Sequence, residues 1–435
     1  MSDMVAEALE GIKALGRPEE MVRAGGRPGG ELKVNAHIHL PPNFSAFTTV
    51  AEAVEQAAGE GVGVLGVSNY YDYAVYGDFA KLTRAKRIFP LFGLEIIALD
   101  EGLLRAGVKV NDPGNPGKIY VCGKGITRFG EGSGQDVRPG PNLQSAEARR
   151  LLGAIRGNDS VRMTAMIRKL EEVFARRGLA TGLTVDAVID LVVQRHQVPR
   201  QRVYLQERHI CQAFQQVLFE KVPLERRLEA LARLFGGPAK ADVRDAVAVQ
   251  NEIRSQLMKA GKPAYIAETF VTFQQAVKLI LELGGIPCYP TLADGTNPIC
   301  PFEEPVAGLI ERLGALGIPA AEFIPVRNAP QILQQYVPAM RRAGLVLTAG
   351  TEHNTLDKLP ITPTCVKGVA IPPEVAEIFR EGAAVVAGHQ LAVLHGECGY
   401  VDGMGRLNPA FADGEKRIRY FRDLGQAVIV KYRGR

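Results

Sequence analysis

The chain has 435 residues, 46% of them hydrophobic and 23% charged, with 52 basic against 47 acidic side chains for a net charge of +5. That balance excludes a disordered or collagen-like chain and supplies a sizeable core, at a length of roughly two to four domains. The basic excess is too small to argue for nucleic-acid binding, the six cysteines form no CxxC pair of zinc-ribbon type, and no apolar run is long enough for a membrane span.

The opening stretch, MSDMVAEALEGIKALG, lacks the apolar core of a signal peptide, so a cytoplasmic location is expected. Residues 1–30 read as a short helix and a Gly/Pro-rich connection. LKVNAHIHL then alternates: Leu32, Val34, Ala36, Ile38 and Leu40 face one way, and Lys33, Asn35, His37 and His39 the other, which is the period of a strand. A helix (TVAEAVEQAAGEG), a strand (VGVLGVSN), a helical stretch ending near Arg87, a strand (IFPLFGLEIIAL) and a further apolar segment (KIYVCGKGI) follow. Strands alternating with helices indicate a parallel α/β sheet or barrel. Residues 115–142, rich in Gly and Pro, read as an irregular loop.

From about residue 145 to 262 the strand pattern gives way to helical spacing, as in Met163, Met166, Ile167, Leu170, Val173 and Phe174, and again in Val185, Val188, Ile189 and Val192. This is an all-α insertion. The α/β rhythm returns with the helix TFQQAVKLILELGG, the strand IPCYP, the helix PVAGLIERLGALG, the strand AEFIPV and, after another helix, GLVLTAGTEHNT, an apolar strand with a polar tip. The chain therefore divides into an N-terminal helix and linker (1–30), a first barrel half (31–142), the helical insertion (143–262), a second barrel half (263–355) and a C-terminal segment (356–435) with a helical pattern around PPEVAEIFREGAAVVAGHQLAVLHG.

Histidine is sparse, seven in the chain, and two of them, His37 and His39, sit on one strand face near its C-terminal end, the end that carries active sites in α/β barrels. Two imidazoles there can converge on one cation or serve two neighbouring ones. Glu95 sits in a strongly apolar strand, where a carboxylate needs a metal or a basic partner. Glu352 and His353 close another apolar strand and are further candidate ligands.

The order HxH, a strand ending in a polar triplet, GxE, an inserted helical domain, Gly-Gly-apolar-x-Pro and a final Gly-x-acid-His resembles the PHP (polymerase and histidinol phosphatase) superfamily across roughly residues 31–355. RRGLATGLTVDAVIDLV followed by RHICQAF is similar to the insertion of the branch that hydrolyses nucleotide and short-RNA phosphates. The resemblance implies a distorted (β/α)7 TIM-like barrel with an inserted all-α domain, a two- or three-metal site of Zn, Mn or Fe, and phosphoester hydrolysis by a metal-activated water. The substrate it implies is small and phosphorylated, a nucleotide or at most a short oligonucleotide, with no membrane partner.

The chain departs from that pattern at four ligand positions. Where the family has Thr-Asp-His, this sequence has Ser68-Asn69-Tyr70; Tyr120 and Tyr289 stand at two further histidine positions. Asn and Tyr are weak ligands for a transition metal. The site expected is therefore a reduced one of His37, His39, Glu95, Glu352 and His353 holding one or two divalent ions, with His37, His39, Glu95 and His353 as the catalytic group and Asp72 and Asp294 as compensating acids nearby. His209, Lys124, Arg128, Arg327 and Tyr289 are candidates to face the substrate or bind its phosphate oxygens. The three tyrosines either form a hydrogen-bonded cluster or fill vacated space. His389 and His395 read as structural and His196 as exposed. The expected activity is that of a metal-dependent phosphoesterase. Its alternatives are a catalytically inactive binding protein that kept the barrel and an amidohydrolase-type metal hydrolase.

Overall fold

The structure is a computed structural model that describes residues 2–27, 31–130 and 143–434. Eight strands form one sheet: β1 (Lys33–Ile38), β2 (Val62–Val67), β3 (Phe89–Leu99), β4 (Lys118–Lys124), β5 (Val271–Thr272), β6 (Ile286–Thr291), β7 (Ala320–Phe323) and β8 (Val346–Ala349). Their order is β1-β2-β3-β4-β6-β7-β8, with the two-residue β5 beside β3. All pairings are parallel except those of β4, which runs antiparallel to both β3 and β6.

The ends of this sheet meet. The amides of Thr351 and Glu352, just beyond β8, donate to the His37 carbonyl at 3.0 and 2.9 Å, and the His39 amide donates to the Glu352 carbonyl at 2.7 Å. The result is a nearly closed barrel of seven strands. Closure satisfies edge groups that would otherwise need water or a partner chain, and it brings the ends of β1 and β8 together.

The chain separates into two compact units, one of residues 1–40, 50–152 and 271–435 and the other of residues 41–49 and 153–270. The first contains the barrel and the C-terminal segment, whose helices Pro373–Leu394 and Gly414–Arg433 pack on it. Residues Gly382–Leu394 of the first of these helices are buried throughout. Gly382 allows the approach, since a Cβ there would stand 1.8 Å from the Leu347 carbonyl oxygen. Gln390 on the same helix accepts from the Phe92 amide at 3.2 Å, tying the C-terminal segment to β3.

The second unit is helical. Val185–His196, Glu207–Lys221, Leu224–Phe235 and Ala246–Ile253 surround a core that includes Met166, Leu170, Ile210 and Leu231, with Phe174 edge-on to Phe214. Buried Glu207 is paired with Arg162, Arg254 and Lys259. His196, expected to be exposed, is buried, with Nδ1 2.8 Å from the Thr48 carbonyl. The Gly/Pro-rich stretch 115–142 is not loop throughout, because it contains β4; its residues 131–142, like 28–30 of the first linker, lie outside the described residues. Among the described residues, no helix is long and apolar enough to cross a membrane.

Candidate metal centre

His37 and His39 point into the barrel from the end of β1, and Glu95 meets them from β3. The three donor atoms form a nearly equilateral triangle: His37 Nε2 to His39 Nε2 3.2 Å, His37 Nε2 to Glu95 Oε2 3.4 Å, and His39 Nε2 to Glu95 Oε2 3.1 Å. A tetrahedral ion with bonds of about 2.0–2.1 Å sets its ligand atoms about 3.3 Å apart. The spacing observed is that of the edges of such a polyhedron. Glu95 Oε2 is buried and makes no hydrogen bond of good geometry, although two imidazole nitrogens face it. An orphaned carboxylate oxygen of this kind is what a cation between the three donors would satisfy.

The local electrostatics favour positive charge at this point. Burial opposes charge on the His37 ring and so does Lys124, but Glu322 and Glu95 outweigh both and push it up to about 9. Burial raises the Glu95 carboxyl, and the two imidazoles more than offset this, holding it at about 2. Two nitrogens and one carboxylate suit Zn, Mn or Fe and leave at least one coordination position open.

Glu322, on β7, orients His37. Its Oε1 lies 2.6 Å from His37 Nδ1, and its Oε2 accepts from Lys124 Nζ at 2.6 Å and Thr348 Oγ1 at 3.2 Å. Burial alone would raise the Glu322 pKa; Lys124 and His37 lower it below the ordinary value. An ionised Glu322 can only accept, so Nδ1 carries a proton, and the neutral form of His37 that binds a metal would present its Nε2 lone pair to the triangle. Asn69 fixes the next segment: its side chain accepts from the Leu40 amide at 2.7 Å and donates to the Leu40 carbonyl at 3.0 Å. Tyr70 stacks on His39 with centroids 4.8 Å apart.

Of the expected ligands, Glu352 and His353 are not brought into the triangle. Glu352 engages Arg327 through both oxygens, Nη1 to Oε1 at 2.9 Å and Nη2 to Oε2. His353 is turned aside, with Nδ1 2.8 Å from Thr351 Oγ1 and Nε2 3.0 Å from the Leu359 carbonyl. Both residues hold positive φ, 57° and 53°, a costly conformation that the β1–β8 closure maintains. Asp294 accepts from the Ala329 amide at the start of the helix Pro330–Arg342, and buried Asp72 accepts from the Ala74 amide; among the described residues neither joins a cluster of ligand type.

The expected substrate-facing residues also separate. Lys124 is buried, with Nζ donating to Glu322, the Ala36 carbonyl and Ser68 Oγ, so its three protons are used inside the barrel. Tyr289 is buried and donates to Glu303 at 2.8 Å. Burial pushes the Glu303 carboxyl up to about 7. His209 is buried in the helical unit against Phe44, and desolvation pulls its pKa down to about 3. Arg128 instead lines a cleft with His389, Cys398 and Asp402. The three tyrosines serve three different neighbours: Tyr70 packs on His39, Tyr289 bonds Glu303, and Tyr120 lies beneath Lys118 with its amide on Asn111. Arg327 stands just beyond the end of β7, paired with Glu352 beyond the end of β8.

Glu322 was missed in the sequence, although the signal that singled out Glu95, a lone carboxylate in an apolar strand, is equally present in AEFIPV.

No protein-family model matches the chain, and neither does any curated protein sequence. Among solved structures, the chain is similar to a protein of Bifidobacterium adolescentis described provisionally as a metal-dependent phosphoesterase, at 16% identity and a TM-score of 0.49 over 81% of this chain and 96% of the other. It is also similar to an amidohydrolase from Chromobacterium violaceum solved with bound sulfate and no metal, at 15% identity and a TM-score of 0.47 over 80% and 96%.

Proposed function

We propose that the protein is a metal-dependent hydrolase of small phosphorylated compounds, working with one divalent ion. The observation that carries this reading is the triangle of His37, His39 and Glu95, buried at the strand ends and spaced as ligands of one ion. A divalent ion there supplies Lewis acidity and lowers the pKa of water. His37 is held in the ligating tautomer by Glu322, and Tyr70 restrains the His39 ring. Glu95 brings the negative charge that partly neutralises the ion. Arg327, at the same strand ends, supplies a guanidinium for a phosphate.

The test is hydrolysis of p-nitrophenyl phosphate by protein reconstituted in turn with Zn, Mn and Fe(II). Turnover that falls at least 100-fold in Glu95→Gln supports the reading. Absence of turnover with every metal, or turnover indifferent to Glu95, overturns it.

A further inference from the structure

Both carboxylate oxygens of Glu352 engage the guanidinium of Arg327, Nη1 to Oε1 and Nη2 to Oε2. Arg327 follows β7 and Glu352 follows β8, so barrel closure places them at the strand ends with His39, whose amide donates to the Glu352 carbonyl at 2.7 Å. The Arg327 side chain is 38% exposed and that of Glu352 12%, so the arginine is the more accessible member of the pair. The backbone of Glu352 and His353 is left-handed at both residues, and the two ring nitrogens of His353 are spent on Thr351 and Leu359. The closure thus fixes the carboxylate where it meets the guanidinium edge rather than the histidines.

We propose that Arg327 is the specificity-determining residue for a terminal phosphate, and that Glu352 is its internal placeholder, occupying the guanidinium edge until the phosphate displaces it. The inference rests on the phosphohydrolase reading above and names its substrate class. The two-pronged edge of a guanidinium matches two oxygens of a carboxylate or of a phosphate. A phosphate that gives two oxygens to Arg327 and one to the ion needs three non-bridging oxygens. A monoester has three; a diester has two.

The experiment titrates inorganic phosphate into the full chain by calorimetry for the wild type, Glu352→Gln, Arg327→Ala and Arg327→Lys, with bound metal measured in each preparation. Removing the competing carboxylate in Glu352→Gln tightens phosphate about tenfold, and Arg327→Ala weakens it by about tenfold or more, with Arg327→Lys recovering only part because it keeps charge but not the fork. Metal content stays at the wild-type level in all four. In turnover, Arg327→Ala raises KM for p-nitrophenyl phosphate and erases the preference for it over bis(p-nitrophenyl) phosphate. Loss of metal in Glu352→Gln makes Glu352 a ligand and overturns the proposal, as does phosphate binding that neither change alters. A wild type without metal or turnover defeats the phosphohydrolase reading instead, while the phosphate titrations still decide the role of Arg327.

Discussion

Glu322 holds His37 by Nδ1 at 2.6 Å from a strand 285 residues further along the chain, and Lys124 holds Glu322 in turn. A carboxylate behind a ligating imidazole fixes the ring and raises its basicity, and its loss typically costs 10–100-fold in metal affinity, at roughly that range here. Glu322→Gln is therefore expected to weaken metal binding about 10–100-fold in a chelator competition. Because that change also leaves the buried Lys124 without its carboxylate, the double change Glu322→Gln with Lys124→Met separates the two effects. It restores stability and leaves metal binding weak; full metal affinity in the double variant would refute the positioning role.

Asn69 is better suited to its place than an aspartate. It both accepts from and donates to the Leu40 peptide, and a carboxylate cannot donate. Asn69→Asp sets a buried charge against the Leu40 carbonyl and is expected to cost about 1–3 kcal/mol in denaturant unfolding. An unchanged midpoint would show that the clamp on the end of β1 carries no energy.

Barrel closure depends on Gly350. A Cβ at this position would lie 2.3 Å from His37 Cβ, against a strand that cannot retreat without breaking its pairing with β2. Gly350→Ala is expected to destabilise by about 3 kcal/mol or more, at the upper end of overpacking effects, and to lower metal affinity with it. Wild-type stability in this variant would mean that β1 and β8 do not approach as closely as the closure requires.

Stability also depends on pH through buried neutral histidines. His389 is buried, accepts from the Tyr400 amide through Nδ1 at 2.9 Å and faces the Gly284 carbonyl with Nε2 at 2.9 Å. Burial pulls its pKa down to about 4. A depressed pKa means stability that is present above the unfolded value near 6.5 and lost as pH falls toward 4, at up to about 1.4 kcal/mol per pH unit. Urea midpoints measured across that window should fall with acidification, with a slope shallower by about one proton in His389→Gln. Parallel slopes for the two proteins would contradict the assignment.

Much of the barrel was legible because strands announce their faces locally. The alternation of LKVNAHIHL placed His37 and His39 together, and the charge in IFPLFGLEIIAL singled out Glu95; both entered the centre. The helical spacing after residue 145 corresponds to the helices Ala146–Arg176, Val185–His196 and Glu207–Lys221. What stayed hidden depends on how distant strands are ordered. Periodicity says that Glu322 is a charge in an apolar strand but not that β7 sets it behind His37. The Glu352-His353 pair was legible as polar, yet its left-handed backbone, set by hydrogen bonds to β1, turns one residue to Arg327 and the other to Leu359. Tyr289 was read as facing the substrate; Glu303, on the loop that follows β6, takes its hydroxyl instead.

The central claim is that His37, His39 and Glu95 hold one divalent ion, and elemental analysis of the purified chain tests it most directly. The expected result is about one equivalent of Zn, Mn or Fe per chain, falling below about one tenth in the double variant His37→Ala, His39→Ala while Glu352→Gln keeps its metal. A wild type that neither carries metal as purified nor takes it up on reconstitution, or a double variant that binds as well as the wild type, would contradict it.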